Sequence, residues 1–197
     1  MLPELRPASA CRCAPRHEQS RAQASRLAPE TLIAELQLEL DQAVLHRPIV
    51  PDWELDAHTP PLLTDSAKVP SIVRNLVRNA VKFTARGNVR IHVSYDHASA
   101  THRIEVADTG PGIPPDVLPY IFQRFYRGSQ SGAGSGFGLF IVKRFTELLG
   151  GTIGVESELG HGTRFVVTVP PLSAEAQQVL PPGAVPLGAV PQAEVDV

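Results

Sequence analysis

The chain has 197 residues, 43% of them hydrophobic, and a formal net charge of -2. That is one domain of ordinary size with tails, long enough to bury a core. It excludes the basic excess of a nucleic-acid binder, and no apolar run approaches the roughly 18 residues that span a bilayer. Two cysteines, Cys11 and Cys13, exclude a disulfide framework and are too few for a metal site of their own.

Residues 1–28 carry five arginines (Arg6, Arg12, Arg16, Arg21, Arg26) against Glu4 and Glu18, with no sustained apolar period, which predicts a disordered segment. The same composition fits an organelle transit peptide or the start of a longer gene product. Residues 29–170 hold the periodic patterns. Pro29 suits a first helical turn, and Leu32, Ile33, Leu36, Leu40 and Val44 follow at helical spacing. Ile49 to Leu55 predicts a short strand. Asp65 or Ser66 is placed to cap a second helix whose buried stripe is Ile72, Val73, Leu76, Val77, Ala80 and Val81. Val89, Ile91, Val93 and Tyr95 alternate, as do Ile104 and Val106, so two half-buried strands flank the loop at Asp96–Thr101. A third helix is expected from Phe137 to Leu149, stopping at a left-handed Gly150-Gly151 cap. Strands near Ile153–Glu156 and Arg164–Val169 flank the turn Gly160-His161-Gly162. Mixed elements without regular alternation predict an α+β fold, a two-layer sandwich. Residues 171–197, with Pro171, Pro181, Pro182, Pro186 and Pro191, predict a disordered tail.

Three segments suggest chemistry. Asn75, Asn79 and Lys82 share one face of the second helix. Asparagine is a poor helix former, and two of them in an otherwise apolar helix suit a solvent-facing stripe badly. A carboxamide oxygen is a neutral, hard ligand fit for Mg²⁺, and a lysine suits a phosphate. Asp108-Thr109-Gly110-Pro111-Gly112-Ile113 follows a strand directly. It reads either as a turn or as a carboxylate poised to accept from an exocyclic amine, with glycines allowing close approach of a flat ring. Gly132 to Leu139 runs a glycine-rich stretch into a helix start, where free N–H groups and the helix dipole favour an anion. The spacing fits neither the dinucleotide fingerprint nor the P-loop.

In this order the segments resemble the motifs of the histidine-kinase ATPase family. Asn75-Leu-Val-Arg-Asn79-Ala-Val-Lys82-Phe83-Thr84 is similar to its N box and Asp108 to Ile113 to its first glycine box. Ile121-Phe122-Gln-Arg-Phe125-Tyr126-Arg127 resembles its F box. Gly134-Ser135-Gly136-Phe137-Gly138-Leu139 resembles its second glycine box, with Phe137 where leucine is usual, and Gly160-His161-Gly162-Thr163 its closing motif. The resemblance covers about residues 29–170. It implies a Bergerat fold, a mixed, mainly antiparallel sheet backed by three helices, with ATP under a lid at 122–135.

By that resemblance Asn79 holds Mg²⁺, while Asn75, Lys82 and Arg127 act on the phosphates as the catalytic set. Asp108 binds the adenine amine directly and through water shared with Thr163, and Gly134 to Leu139 cradle the triphosphate. Phe83, Gly110, Gly112, Ile113, Phe122, Phe125 and Tyr126 complete the nucleotide site. Hydrolytic relatives of the gyrase and heat-shock-chaperone type carry a glutamate where this chain has Asn75, and an amide cannot serve as general base. The resemblance therefore implies phosphoryl transfer to a protein histidine, in a cytoplasmic two-component pathway with a response regulator as further partner; a non-catalytic ATP-binding module is the alternative. The acceptor is not expected in this chain. His17-Glu18 is the one upstream His-acid pair, it is followed by Gln-Ser-Arg-Ala, and only 58 residues separate it from Asn75. That leaves no room for the dimerising helical hairpin on which the family carries its histidine.

Overall fold

The computed structural model describes residues 24–125 and 136–171. In chain order these form β1 (Ala24–Leu27), α1 (Pro29–Val44), β2 (Ile49–Leu55), β3 (Leu62–Asp65), α2 (Lys68–Phe83), β4 (Gly87–Asp96), β5 (Thr101–Asp108), α3 (Gly138–Leu148), β6 (Thr152–Glu158) and β7 (Gly162–Val169). A five-stranded sheet runs in the order β2-β4-β5-β7-β6, and β1 pairs separately with β3. Only β2 and β4 pair in parallel; the other neighbours in both sheets are antiparallel. The fold is the expected α+β sandwich, one sheet layer under one helix layer.

Side-chain period decides which face is which. Val89, Ile91 and Val93 of β4, Ile104 and Val106 of β5, and Phe165, Val167 and Val169 of β7 all point to the helices and are buried. Against them α2 lays the stripe read from its sequence, every member of which is buried, and α1 buries Leu32, Ile33, Leu36, Leu40 and Val44. Burying one such aliphatic side chain fully stabilises by about 1.5–3 kcal/mol, so this seam holds the domain together. The opposite sheet face is solvated by cross-strand ion pairs: Arg164 donates to Glu105 at 2.6 Å and to Glu156 at 2.9 Å, and Arg90 pairs with Glu54.

Two parts of the sequence reading need correction. Order begins before Pro29, because Ala24–Leu27 is a strand and Leu27 is buried. Four residues are too few to show an alternating pattern, and β1 owes its form to a distant partner, since Ala24 pairs with Asp65, 41 residues on. Residues 1–23 and 172–197 lie outside the described residues. Second, Asp65 is the last residue of β3 and not the N-cap of α2, which is Ala67. It still serves the helix start, because its Oδ1 accepts from the N–H groups of Ala67 and Lys68 at 3.0 and 3.2 Å. The end of α3 is as expected: Gly150 has φ +71°, and the Gly151 N–H donates to Thr146 O at 2.9 Å.

Candidate functional site

The two asparagines of α2 meet the start of α3. Asn75 donates through Nδ2 to Ser71 O at 2.8 Å, a bond that fixes the amide and turns Oδ1 toward α3. A methyl at Gly138 would lie 3.2 Å from Asn75 Oδ1 and 3.8 Å from Asn79 Nδ2. The first turn of α3 therefore rests against both amides, and glycine there keeps the seam open. Phe137 is the residue before the helix, Gly136 has φ +69°, and Leu139 packs against the core. Both asparagines are half-buried, whereas Lys82, one turn further, is exposed with Nζ 4.8 Å from the centroid of the Phe83 ring. The N-terminal end of α3 and the two amides of α2 thus face each other.

Asp108 stands at the end of β5, one strand over from Thr163 of β7, its register partner. Its Oδ1 accepts from the Gly110 N–H at 2.8 Å. Burial pushes the Asp108 carboxyl above the usual carboxylate range, against hydrogen bonds from the Gly110 and Thr163 backbone that pull it down. A carboxylate keeps acceptor capacity beyond that one bond. The glycines nearby also have reasons within the chain itself. A methyl on Gly110 would sit 2.8 Å from Asp108 Oδ1 and 3.2 Å from Phe83 O. One on Gly112, at φ +72°, would overlap Glu158 O, and one on Gly162, at φ +110°, would overlap Asp108 O. These positions let the β6–β7 turn and the Asp108 loop close on each other. Ile113 donates its N–H to Ser157 Oγ at 2.8 Å, a contact the sequence reading did not anticipate. The signal was present in the alternation of β6, which turns Ile153, Val155 and Ser157 inward.

Aromatic residues frame the third side. Phe122 meets Phe165 edge-on, with ring centroids 6.3 Å apart. Phe125, at φ +64°, meets Phe137 at 4.5 Å, and the Arg124 guanidinium lies over both rings. Tyr126, Arg127, Gly134 and Ser135 fall outside the described residues. Glu54, Asp56 and His92 gather three ligand-type side chains, but on the solvent face of the sheet, away from Asn79.

Residues 64–173 match the family model described as histidine kinase-, DNA gyrase B-, and HSP90-like ATPase. The chain is 37% identical over 136 residues to the aerobic respiration control sensor protein ArcB of Escherichia coli (strain K12), covering 66% of this chain and 17% of that protein. It is 44% identical over 124 residues to the sensor histidine kinase TmoS of Ectopseudomonas mendocina, covering 59% of this chain and 13% of that one. The chain thus spans less than a fifth of either relative. Among solved structures it is similar to full-length ShkA in complex with AMPPNP, with TM-score 0.69 and 33% identity over 75% of this chain and 31% of that one. It is also similar to the catalytic domain of histidine kinase ThkA, with TM-score 0.66 and 25% identity over 75% of this chain and 95% of that one.

Proposed function

We propose that this chain, which belongs to the histidine kinase-, DNA gyrase B-, and HSP90-like ATPase family, binds Mg-ATP between α2, α3 and the Asp108 loop and passes the γ-phosphate to a protein histidine. The observation that carries the reading is the seam at Gly138. There a helix start, with its free N–H groups, faces two amides on α2, while Asp108 stands at a strand end with a half-buried carboxylate. The AMPPNP complex of ShkA, a similar structure, supports a nucleoside triphosphate as the ligand.

In this reading Asp108 orients the purine by accepting from its exocyclic amine, and the α3 start holds the phosphates. Asn79 would hold Mg²⁺ through its amide oxygen, and the ion would supply charge neutralisation to the triphosphate. Asn75 is held by Ser71 and lines the reacting end without acting as a base, because an amide cannot take a proton near neutral pH. Water is therefore a poor nucleophile here. An imidazole nitrogen needs no such activation, so positioning does most of the work. The nitrogen forms a bond to the γ-phosphorus as the bridging P–O bond breaks, and ADP leaves with that electron pair. Among the described residues no histidine lies on a helix: His46, His58, His97 and His161 are in turns, and His92 and His102 in strands. The acceptor is accordingly carried on a dimerising helical hairpin outside residues 24–171, and a response regulator is the onward partner.

Incubation with γ-labelled ATP, with and without a separately made histidine-kinase dimerisation domain, tests this. Slow labelling that rises with added hairpin is expected, since a free acceptor lacks the effective concentration of a tethered one. Rapid ATP turnover without acceptor would move the chain to the hydrolytic branch. ATP binding with no label on any acceptor would leave a nucleotide-binding module.

A further inference from the structure

Glu54, Asp56 and His92 are brought together by strand geometry. Glu54 and Asp56 are two residues apart, so both side chains leave the β2 line on the same face. Asp56 lies just past the end of β2, but its N–H donates to Val93 O at 3.0 Å, which carries the pairing with β4 one residue further. In the parallel register Glu54 lies opposite His92. The backbone therefore fixes all three positions, and strands hold a site more precisely than loops do.

The ligand atoms converge. One from each residue lies within 4.8 Å of the other two, with Glu54 and His92 half-buried and Asp56 exposed. His92 Nε2 and Asp56 Oδ1 stand 2.8 Å apart. Whichever group holds the shared proton, two lone pairs are aimed at its position, and a cation that replaces it meets both. Zinc bonds of about 2.1 Å at a tetrahedral angle set ligand atoms roughly 3.4 Å apart, so this pair has to open by only about half an ångström. Both Arg90 contacts with Glu54 fall on Oε2, which leaves the lone pairs of Oε1 for an ion. Asp52 Oδ2, 3.8 Å from Arg90 Nε, is placed to take the guanidinium over.

One imidazole nitrogen with two carboxylate oxygens is a zinc-type donor set, whereas Mg²⁺ and Ca²⁺ favour oxygen throughout. We propose that Glu54, Asp56 and His92 bind a divalent transition-metal ion of the zinc type on the solvent face of the β2–β4 pair, apart from the nucleotide site. The two carboxylates balance its charge. Three protein ligands leave a fourth position to water, the arrangement of an exchangeable site and not of a closed structural one. Occupancy ties the edge strand to its neighbour through side chains as well as backbone, and binding to the folded state alone stabilises it.

Calorimetric titration of Zn²⁺ into the nucleotide-free full chain carrying Cys11→Ser and Cys13→Ser, which removes the competing thiols, tests this. One saturable site and a higher melting temperature are expected, and excess Mg²⁺ should not displace the ion. His92→Ala and Asp56→Asn, the second keeping shape but not charge, should each weaken Zn²⁺ binding at least about tenfold, the least that even an outer-shell partner is worth. Arg90→Gln should tighten it by up to about fivefold, because Glu54 is released from an exposed ion pair. Co²⁺ in place of Zn²⁺ should give visible absorption bands that both weakened variants lose. A Zn²⁺ affinity unchanged in His92→Ala and Asp56→Asn places the ion elsewhere and overturns the proposal, as does a thiol-free chain that takes up no Zn²⁺. Neither result touches the ATP reading, since no nucleotide is present.

Discussion

Replacing Asp108 by asparagine should make the free domain more stable and the nucleotide site worse. The two side chains have the same shape, and the amide oxygen can still accept the Gly110 N–H now bonded at 2.8 Å. What changes is charge. A hydrogen bond to a charged group contributes about 1.5–3 kcal/mol and a neutral one about 0.5–1.5, so the substitution loses roughly 1 kcal/mol at each of the backbone contacts from Gly110 and Thr163. Against this stands burial, which raises the Asp108 pKa even with its backbone hydrogen bonds in place. Burial therefore outweighs those bonds, and the neutral isostere gains. The pH dependence has a definite sign. With its folded pKa above the ordinary carboxylate value, Asp108 is protonated more readily in the folded domain than in the unfolded chain. The stability it contributes declines as pH rises through that interval. Asp108→Asn should raise the melting temperature at pH 7, and the gain should shrink as pH falls into the carboxylate range. In the complex, the amine donor of the base loses a charged acceptor, again about 1.5–3 kcal/mol, or roughly 10- to 150-fold in Mg-ATP affinity by calorimetry. A lower melting temperature at pH 7 would refute the burial argument, and an unchanged affinity would refute the adenine assignment.

Burial also pushes the His102 imidazole below the usual histidine range, although its Nε2–H bond to Pro60 O at 2.7 Å works the other way. The folded domain then binds fewer protons here than the unfolded chain, so the stability is present at pH 7 and is lost as pH falls through the histidine range. His102→Gln, which retains a donor, should flatten the melting temperature between pH 7 and pH 5; an identical slope would assign the effect to other groups. Asn79→Ala should weaken nucleotide binding far more with Mg²⁺ than in EDTA, and equal losses under both conditions would make Asn79 a packing residue.

The helices and the long strands were legible because each carries enough residues for its period to show. Ile49 to Leu55 matches β2 to the residue, and the α2 stripe was read in full. What stayed hidden depends on partners distant in sequence. β1 and β3, of four residues each, exist only through each other. The site was legible as residue types, but not as geometry. Gly112 looks like a ligand-facing glycine and Gly162 like a plain turn glycine in the sequence; each is required by a backbone carbonyl of a neighbouring segment. Ser157 carries no motif at all, and its place among Ile113, Gly162 and Thr163 follows only once β6 and β7 are paired.

Among the described residues the sheet has two open ends, β2 and β6, each with backbone groups available to another strand. An unguarded edge of that kind invites head-on polymerisation. Here β2 carries Pro51, which lacks an N–H, beside Asp52 and Glu54, and β6 carries Gly154 beside Glu156 and Glu158. Two copies meeting along the β2 rim would meet a ladder short of one donor, and along either rim they would have to accommodate Asp52, Glu54 and Glu156 in their ion pairs with Arg90 and Arg164. Association by strand addition is disfavoured at both rims, so any stable companion has to approach through the helices or the loops, and the domain can stay at high local concentration beside copies of itself without fusing into a continuous sheet.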